Sequence, residues 1–330
     1  MPNRLSRRTT LAAAPAAALA PVLARPALAQ ERWPSRAVRI IVPFAPGGTT
    51  DIVARLLAQN LQERLGQPVV AENRPGAGAT IGAQLVAQAA PDGYTLLISN
   101  TASNGMSPTM FRSARYDGEK DFTHIAMLAR TSSALVVNPR FEAQSVADLV
   151  RLGRSRPGGL DFASAGLGTS THMLALRIGQ AAGFRMNPIS YRGAGPALTD
   201  VIAGNVGFMV DGLPSSISHI RAGAVKAIAT ADAERNRHLP EVPTLIESGF
   251  PGMVSYSWFG LSGPKGLPAP IVETLSRETL AILAMPAMRQ RWEELTAEAP
   301  AMTPEQYTAF IRDDIETWAD VIRKAGVSVE

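Results

Sequence analysis

The 330-residue chain contains no cysteine, which excludes disulfides, thiol catalysis and a lipid anchor on a processed N-terminal cysteine. Its four histidines are scattered, and no group of histidines and acids has the spacing of metal ligands. Neither a metal nor any other cofactor is expected. No Gly-x-Ser-x-Gly elbow of a serine hydrolase is present. After residue 29 no apolar run reaches the roughly 18 residues of a membrane-spanning helix, and there is no internal repeat or low-complexity tract.

The first 29 residues read as an export signal. Arg4, Arg7 and Arg8 make a basic start, an Ala/Leu-rich stretch runs from about Leu11 to Leu23, and Ala27-Leu28-Ala29 is a small-x-small cleavage site. The mature chain is expected to begin at Gln30 and to be soluble in the periplasm. The pair Arg7-Arg8 resembles a twin-arginine signal, although Thr10 stands where that signal usually has Phe, which leaves general secretion open. This segment carries four basic residues and no acidic one. Without it the formal charge of +4 disappears, leaving 28 basic against 28 acidic residues. A balanced chain gives no support to a nucleic-acid or anionic-membrane partner, so attraction of an acidic ligand has to come from local geometry.

About 300 residues with 46% apolar content can bury large cores and suggest two domains. Short β-branched runs alternate with amphipathic stretches, the pattern of an α/β protein with mainly parallel strands. Val38 to Val42, Pro68 to Glu72 and Tyr94 to Ser99 read as strands. Helices are expected from about Ile52 to Leu65 and from Ala79 to Ala89. A second set of strands falls near Ala134 to Val137, Leu160 to Ser164, Asn187 to Tyr191, Val206 to Val210 and Val225 to Thr230. Between them lie helices Ser145 to Gly153, Thr169 to Ala182 and Pro196 to Ala203, the last two ended by Gly183 and Gly204. Two or three helices close the chain, the last opened by a Thr303-Pro304-Glu305-Gln306 capping box. Its stripe of Tyr307, Ile311, Ile315, Trp318 and Ile322 reads as core. The expected division is a discontinuous first domain, residues 30–126 plus 231–330, around a second domain, 127–230, with two crossing strands as the hinge.

The most informative stretch is Val42-Pro43-Phe44-Ala45-Pro46-Gly47-Gly48-Thr49-Thr50-Asp51, a strand passing through a Gly-rich turn into a helix. Such a junction aims several unpaired backbone N–H groups at one point, and the helix dipole favours an anion there. No Gly-Lys-Ser/Thr follows it, as a nucleotide-phosphate loop requires. A plain tight turn with Thr49, Thr50 or Asp51 as N-cap explains the same residues. A second junction of the same kind, Phe162 to His172, lies in the other proposed domain, passing Gly166 and Gly168 before Thr169, Ser170 and Thr171. In open α/β sheets ligands bind beyond the carboxyl ends of strands, so two facing domains would present both loops to one cleft. A dicarboxylate held by one helix start at each end is then a natural ligand.

Trp33 to Arg36, Val42 to Asp51, Glu72 to Gly78, Pro91 to Leu96, Tyr191-Arg192-Gly193 and Leu239 to Thr244 resemble, in order and across the mature chain, the Bug family of extracytoplasmic solute receptors of tripartite tricarboxylate transporters. The resemblance implies a two-domain, type II periplasmic binding protein fold that closes on its ligand. It implies carboxylates held by backbone amides, with ordered water at the middle of the ligand. Carried onto this chain, the first-loop positions are Phe44, Ala45, Gly48, Thr49 and Thr50. The second-loop positions are Ser164, Ala165, Gly168, Thr169 and Ser170. Asp211, at the end of the Val206 to Val210 strand, matches the family's acidic residue facing the cleft. Thr101, Ser103 and Asn104 would form a polar, uncharged wall that varies with the ligand.

The expected function is a monomeric periplasmic receptor, not an enzyme. It captures a small carboxylate for membrane transporter subunits, or reports it to a sensor kinase. Citrate, dicarboxylates, acidic amino acids and aromatic acids all remain candidates. The competing reading is a periplasmic hydrolase or isomerase using Ser and His in the same cleft, with Ser164, His172 and Asp211 as the conceivable triad. His172, one turn into its helix, reads as loop support. An ionic mechanism through Arg192 is the alternative to an amide cradle.

Overall fold

The computed structural model describes residues 33–325, so the export-signal reading of residues 1–29 lies outside the described residues. Strands and helices alternate as the periodicity requires: β1 (Val38–Val42), α1 (Thr49–Leu65), β2 (Val69–Asn73), α2 (Thr80–Ala87) and β3 (Thr95–Asn100). A π-helical turn, Thr101–Met106, and the short α3 (Ser107–Met110) lead to a 16-residue strand, β4 (Phe122–Val137). Then come α4 (Val146–Ser155), β5 (Leu160–Ser164), α5 (Ser170–Ala182), β6 (Met186–Ser190), α6 (Ala194–Ala203), β7 (Phe208–Gly212), α7 (Leu213–Arg221) and β8 (Lys226–Thr230). Finally β9 (Tyr256–Pro264) precedes α8 (Ala269–Ala284), α9 (Pro286–Glu294), the two-residue β10 (Ala297–Glu298) and α10 (Pro304–Ala325).

Among the described residues the strands join in one mixed sheet, ordered β2-β1-β3-β9-β4-β7-β5-β6, with β8 and β10 also pairing with β4. The two parallel sets, β2-β1-β3 and β7-β5-β6, are linked through the antiparallel strands β9 and β4. The register of β4 runs from Phe122 opposite Pro264 to Ser132 opposite Tyr256 on β9. From Ser133 onward its partners are β7 and β8, beginning with Ser133 opposite Gly212. The strand therefore changes partners between Ser132 and Ser133.

Each side of that change has its own core. On the first, Ile40 and Val42 of β1 pack with Val53, Leu57 and Leu61 of α1 and with Leu275 and Trp292 from the C-terminal helices. On the second, Leu135 and Val137 face Phe162, Ile178 and Phe208, while the alternate residues Ala134 and Val136 face Val201, Met209 and Ile217. That alternation is the two-residue period of a strand covered on both faces. Leu239, Val242, Leu245, Phe250 and Met253, from the Pro- and Gly-rich tract after β8, also pack into the second side.

Helix ends follow their glycines. Gly66, Gly183 and Gly204 are left-handed C-caps with φ of 67°, 76° and 84°, a conformation that costs glycine nothing. The α10 capping box forms: Thr303 N–H donates to Gln306 Oε1 at 2.9 Å, and Gln306 N–H donates to Thr303 Oγ1 at 3.3 Å. Tyr307, Ile311 and Ile322 of its stripe are buried. One strand begins later than its hydrophobic pattern suggests. Asn205 and Val206 still donate to the Asp200 carbonyl in the cap of α6, so β7 runs over 208–212 and Asp211 sits within it.

Candidate ligand-binding cavity

Both Gly-rich junctions open onto one cavity, and each is built differently. In the first, Gly47 turns with φ 87° and Gly48 is the N-cap of α1, without a side-chain cap. The amides of Thr49 and Thr50, in the first turn, have no carbonyl four residues back to bond. None of the proposed side chains caps the helix. Asp51 reaches back to accept from Gly47 N–H at 3.1 Å, and also takes hydrogen bonds from Arg55 and Asn73. Burial opposes its ionisation, but those bonds hold its carboxyl below the usual range. Asp51 therefore fixes the turn and leaves the helix start open.

In the second junction Thr169 is the N-cap of α5, accepting from His172 N–H at 3.2 Å and donating to the Gly166 carbonyl at 2.9 Å. Ser170 and Thr171 then carry the unpaired first-turn amides. His172 Nδ1 accepts from Gly168 N–H at 3.4 Å, and the ring stacks on Phe162. Burial pushes its pKa down to about 4, so it is neutral.

The cavity has a volume of about 70 Å³. The first junction contributes Phe44, Gly48, Thr49 and Thr50, and the second contributes Ala165, Thr169, Ser170 and Thr171. Asn100 comes from the end of β3, Thr101 and Ala102 from the π-helical turn that follows, Ala194 from the start of α6, and Asp211 with Gly212 from the end of β7. Ser257, Trp258 and Phe259 of β9 complete it. No arginine, lysine or histidine is among these residues.

Polar contacts tie the walls together. Ser170 Oγ lies 2.6 Å from Ser257 Oγ, Thr101 Oγ1 accepts from Trp258 N–H at 3.0 Å, and Thr49 Oγ1 lies 3.1 Å from Ser215 Oγ on α7. The Trp258 indole donates to Asp314 of α10 at 2.8 Å, and its ring packs edge-on against Tyr307 and Phe310 of that helix. Asp211 is 1% exposed. Burial raises its carboxyl to about 7, against the opposing hydrogen bonds from Ser215 Oγ, at 2.7 Å, and Gly212.

Nine of the residues expected at the site thus meet around one space: Phe44, Gly48, Thr49, Thr50, Thr101, Ala165, Thr169, Ser170 and Asp211. The other four are engaged elsewhere. Ala45 N–H donates to the Arg192 carbonyl at 2.8 Å. Ser103 accepts from Asn100 N–H and donates to Asn104 Oδ1, in the cap of the π-helical turn. Ser164 Oγ bonds within its own loop to Gly166. Gly168 packs against Phe111 and Met110. Ala194, Gly212 and Ser257 also line the cavity without any signal in the sequence, whereas Asn100 and Ala102 flank the expected polar wall and Thr171 belongs to the second junction without being among the expected ligand positions. Thr171 was recoverable from the helix start alone, whereas Ser257 and Gly212 arrive only through the pairing of β4. Ser164, His172 and Asp211 each bond a different partner and form no triad. The Arg192 side chain borders a neighbouring cavity of about 230 Å³ with Gly76 to Ala79 and Phe111.

The chain is similar to known proteins. The chain is 36% identical over 301 residues to protein BugT of Bordetella pertussis, covering 91% of this chain and 92% of that one. It superimposes on Rhodopseudomonas palustris Rpa4515, solved with adipate, with TM-score 0.86 and 33% identity over 90% of this chain and 99% of that one. The match to MatC of Rhodopseudomonas palustris, solved with bound malate, has TM-score 0.83 and 34% identity over 88% of this chain and all of that one. Among the described residues no helix is long and apolar enough to cross a membrane. Residues 53–327 match the model of the tripartite tricarboxylate transporter family receptors, and with the cavity and fold described above, the chain belongs to that family of periplasmic solute-binding proteins.

Proposed function

We propose that this receptor captures a short dicarboxylate between two lobes and hands it to the membrane subunits of a tripartite transporter, with no chemistry performed on the ligand. The observation that carries the reading is the convergence of two helix starts, α1 and α5, on one cavity lined by no basic side chain. Each start offers unpaired amides and the positive end of a helix dipole, so each suits one carboxylate. The lobes meet where β4 changes partners, at Ser132 and Ser133, and the chain crosses back near Ser255, with the tract 231–255 counted in the second lobe. The cavity, about 70 Å³, suits a small ligand. Adipate and malate, bound by the two structural relatives, are of this class.

The test is a thermal-shift panel of succinate, malate, glutarate, adipate, citrate, aspartate and nicotinate, followed by calorimetric titration and by mass spectrometry of acid released from the purified protein. A dicarboxylate should stabilise the protein by about 2.7 kcal/mol at a hundredfold excess over its Kd and be recovered unchanged. A panel without a shift, from protein that releases no acid on denaturation, would refute the reading.

A further inference from the structure

The cavity that suits an anion also contains a buried acid with no cation beside it. Asp211 lines the space at 1% exposure, and its partners are the Ser215 hydroxyl and the Gly212 amide. Ser215 Oγ in turn contacts Thr49 Oγ1 in the first turn of α1, which ties Asp211 to one of the two proposed carboxylate cradles.

Charged and titratable groups on the surrounding elements face other partners. On α1, Asp51 pairs with Arg55 and Asn73. On α5, His172 is held by Gly168, and Arg177 lies more than a turn further along the helix. On α6, Asp200 bonds Tyr191 and Asn205. On α7, His219 and Arg221 border a separate cavity with Arg291 and Glu294. On β4, His124 bonds Ser262 and Arg130 stacks over Tyr256, while Asp161 of β5 accepts from Asn187. None of these neutralises Asp211.

Two carboxylates that share a water-poor site do not both stay ionised, since each raises the other's pKa. We propose that Asp211 binds the ligand as a neutral acid, donating its proton to a ligand carboxylate oxygen, so that capture from alkaline solution, where the empty site is ionised, takes up one proton. This deepens the dicarboxylate reading and rests on it. The acid keeps its two acceptor contacts, to Ser215 and Gly212, while its O–H turns to the ligand. The empty site already holds the proton up to a pKa of about 7, and the bound anion holds it higher. Above that value affinity should fall by about tenfold per pH unit until the proton is lost from the complex as well.

Succinate, glutarate and adipate carry no donor group of their own and are the probes. Each is titrated calorimetrically from about pH 6 to pH 8.5 in phosphate and in Tris, whose ionisation heats differ, so that the difference in heat counts protons. Near pH 8 the count should approach one proton taken up, falling towards zero at about pH 6. Asp211→Asn keeps the shape and supplies a permanent N–H donor, so it should bind with affinity independent of pH and with no uptake. Its melting curve verifies folding. Binding of these acids by the wild type with no proton uptake would overturn the proposal. So would binding confined to acids that carry a hydroxyl or ammonium group, which would make Asp211 an ionised acceptor while leaving the receptor reading intact. If no acid of the panel binds, both fall together.

Discussion

Replacing Gly195 by alanine tests whether the seam beside the cavity opens. Gly195 lies in the first turn of α6 and faces the β1–α1 loop. A Cβ built there would stand 2.1 Å from the Pro46 carbonyl oxygen and 3.3 Å from the Gly47 carbonyl carbon. One residue before the helix, Gly193 is also in close contact, its Cβ position lying 2.9 Å from Ala45 N. Ala45 N–H also donates to the Arg192 carbonyl across the same seam. The backbone of α6 itself accepts alanine, which gains up to about 1 kcal/mol of helix propensity over glycine. The clash costs about 1–3 kcal/mol, as for an overpacked core, and only while the seam is shut. If ligand capture closes the seam, Gly195→Ala weakens every ligand by roughly 5- to 150-fold and leaves the ligand-free melting temperature unchanged or slightly higher. Calorimetry and differential scanning fluorimetry read the two quantities separately. A lower ligand-free melting temperature with unchanged affinity would refute the reasoning, because the seam would then be part of one permanently packed body.

Two further expectations follow from the same geometry. Arg192→Ala should leave affinity within about threefold, since the side chain borders the neighbouring cavity; a loss of two or more kcal/mol, as for a charge-assisted bond, would restore the ionic mechanism. Asp211→Asn should stabilise the ligand-free protein above neutral pH. The folded carboxyl is raised to about 7 from an unfolded value near 4, so between those values the unfolded chain has released the proton that the folded chain keeps, and stability falls across that window and levels off above it. Asparagine escapes this cost, up to about 4 kcal/mol as an upper bound. Urea unfolding should show the gain at about pH 8 and its disappearance by about pH 4; a gain independent of pH would contradict the assignment.

The elements that carry strong local signals were legible in the chain. Val38 to Val42 reads as a continuous β-branched run and is a strand; Gly183 and Gly204 stop their helices; and Thr303 with Gln306 forms its capping box. The two helix starts were legible as a pair: either junction alone reads equally well as a plain capped turn, and it is the second one in the other half of the chain that favours a shared site. What was not legible depended on distant pairing. The 16-residue β4 carries an exposed Arg130 and the buried Thr131, Ser132 and Ser133 in its middle, where the strand changes partners. The nine-residue α7 is dense in serine and its apolar stripe is only Leu213, Ile217 and Ile220, and its Ser215 links Thr49 to Asp211. Ser103 and Asn104 look like an open polar wall in sequence, but the π-helical turn points them at Asn100 and at the Gly118 carbonyl.

The central claim is that main-chain amides at two helix starts hold the ligand. Thr49 and Ser170 are the first residues of α1 and α5, and the residues before them, Gly48 (φ −86°, ψ 170°) and Thr169 (φ −91°, ψ 154°), are extended. Proline is accepted at such a position and after such a residue, so Thr49→Pro and Ser170→Pro delete one amide each while keeping the helix. Thr49→Ala and Ser170→Ala delete only the hydroxyls. Calorimetric titration of all four with the acid that stabilises the wild type most should place each proline variant about 1.5–3 kcal/mol, or roughly 10- to 150-fold, below its alanine counterpart. Proline variants that bind as well as the alanine variants would contradict the account.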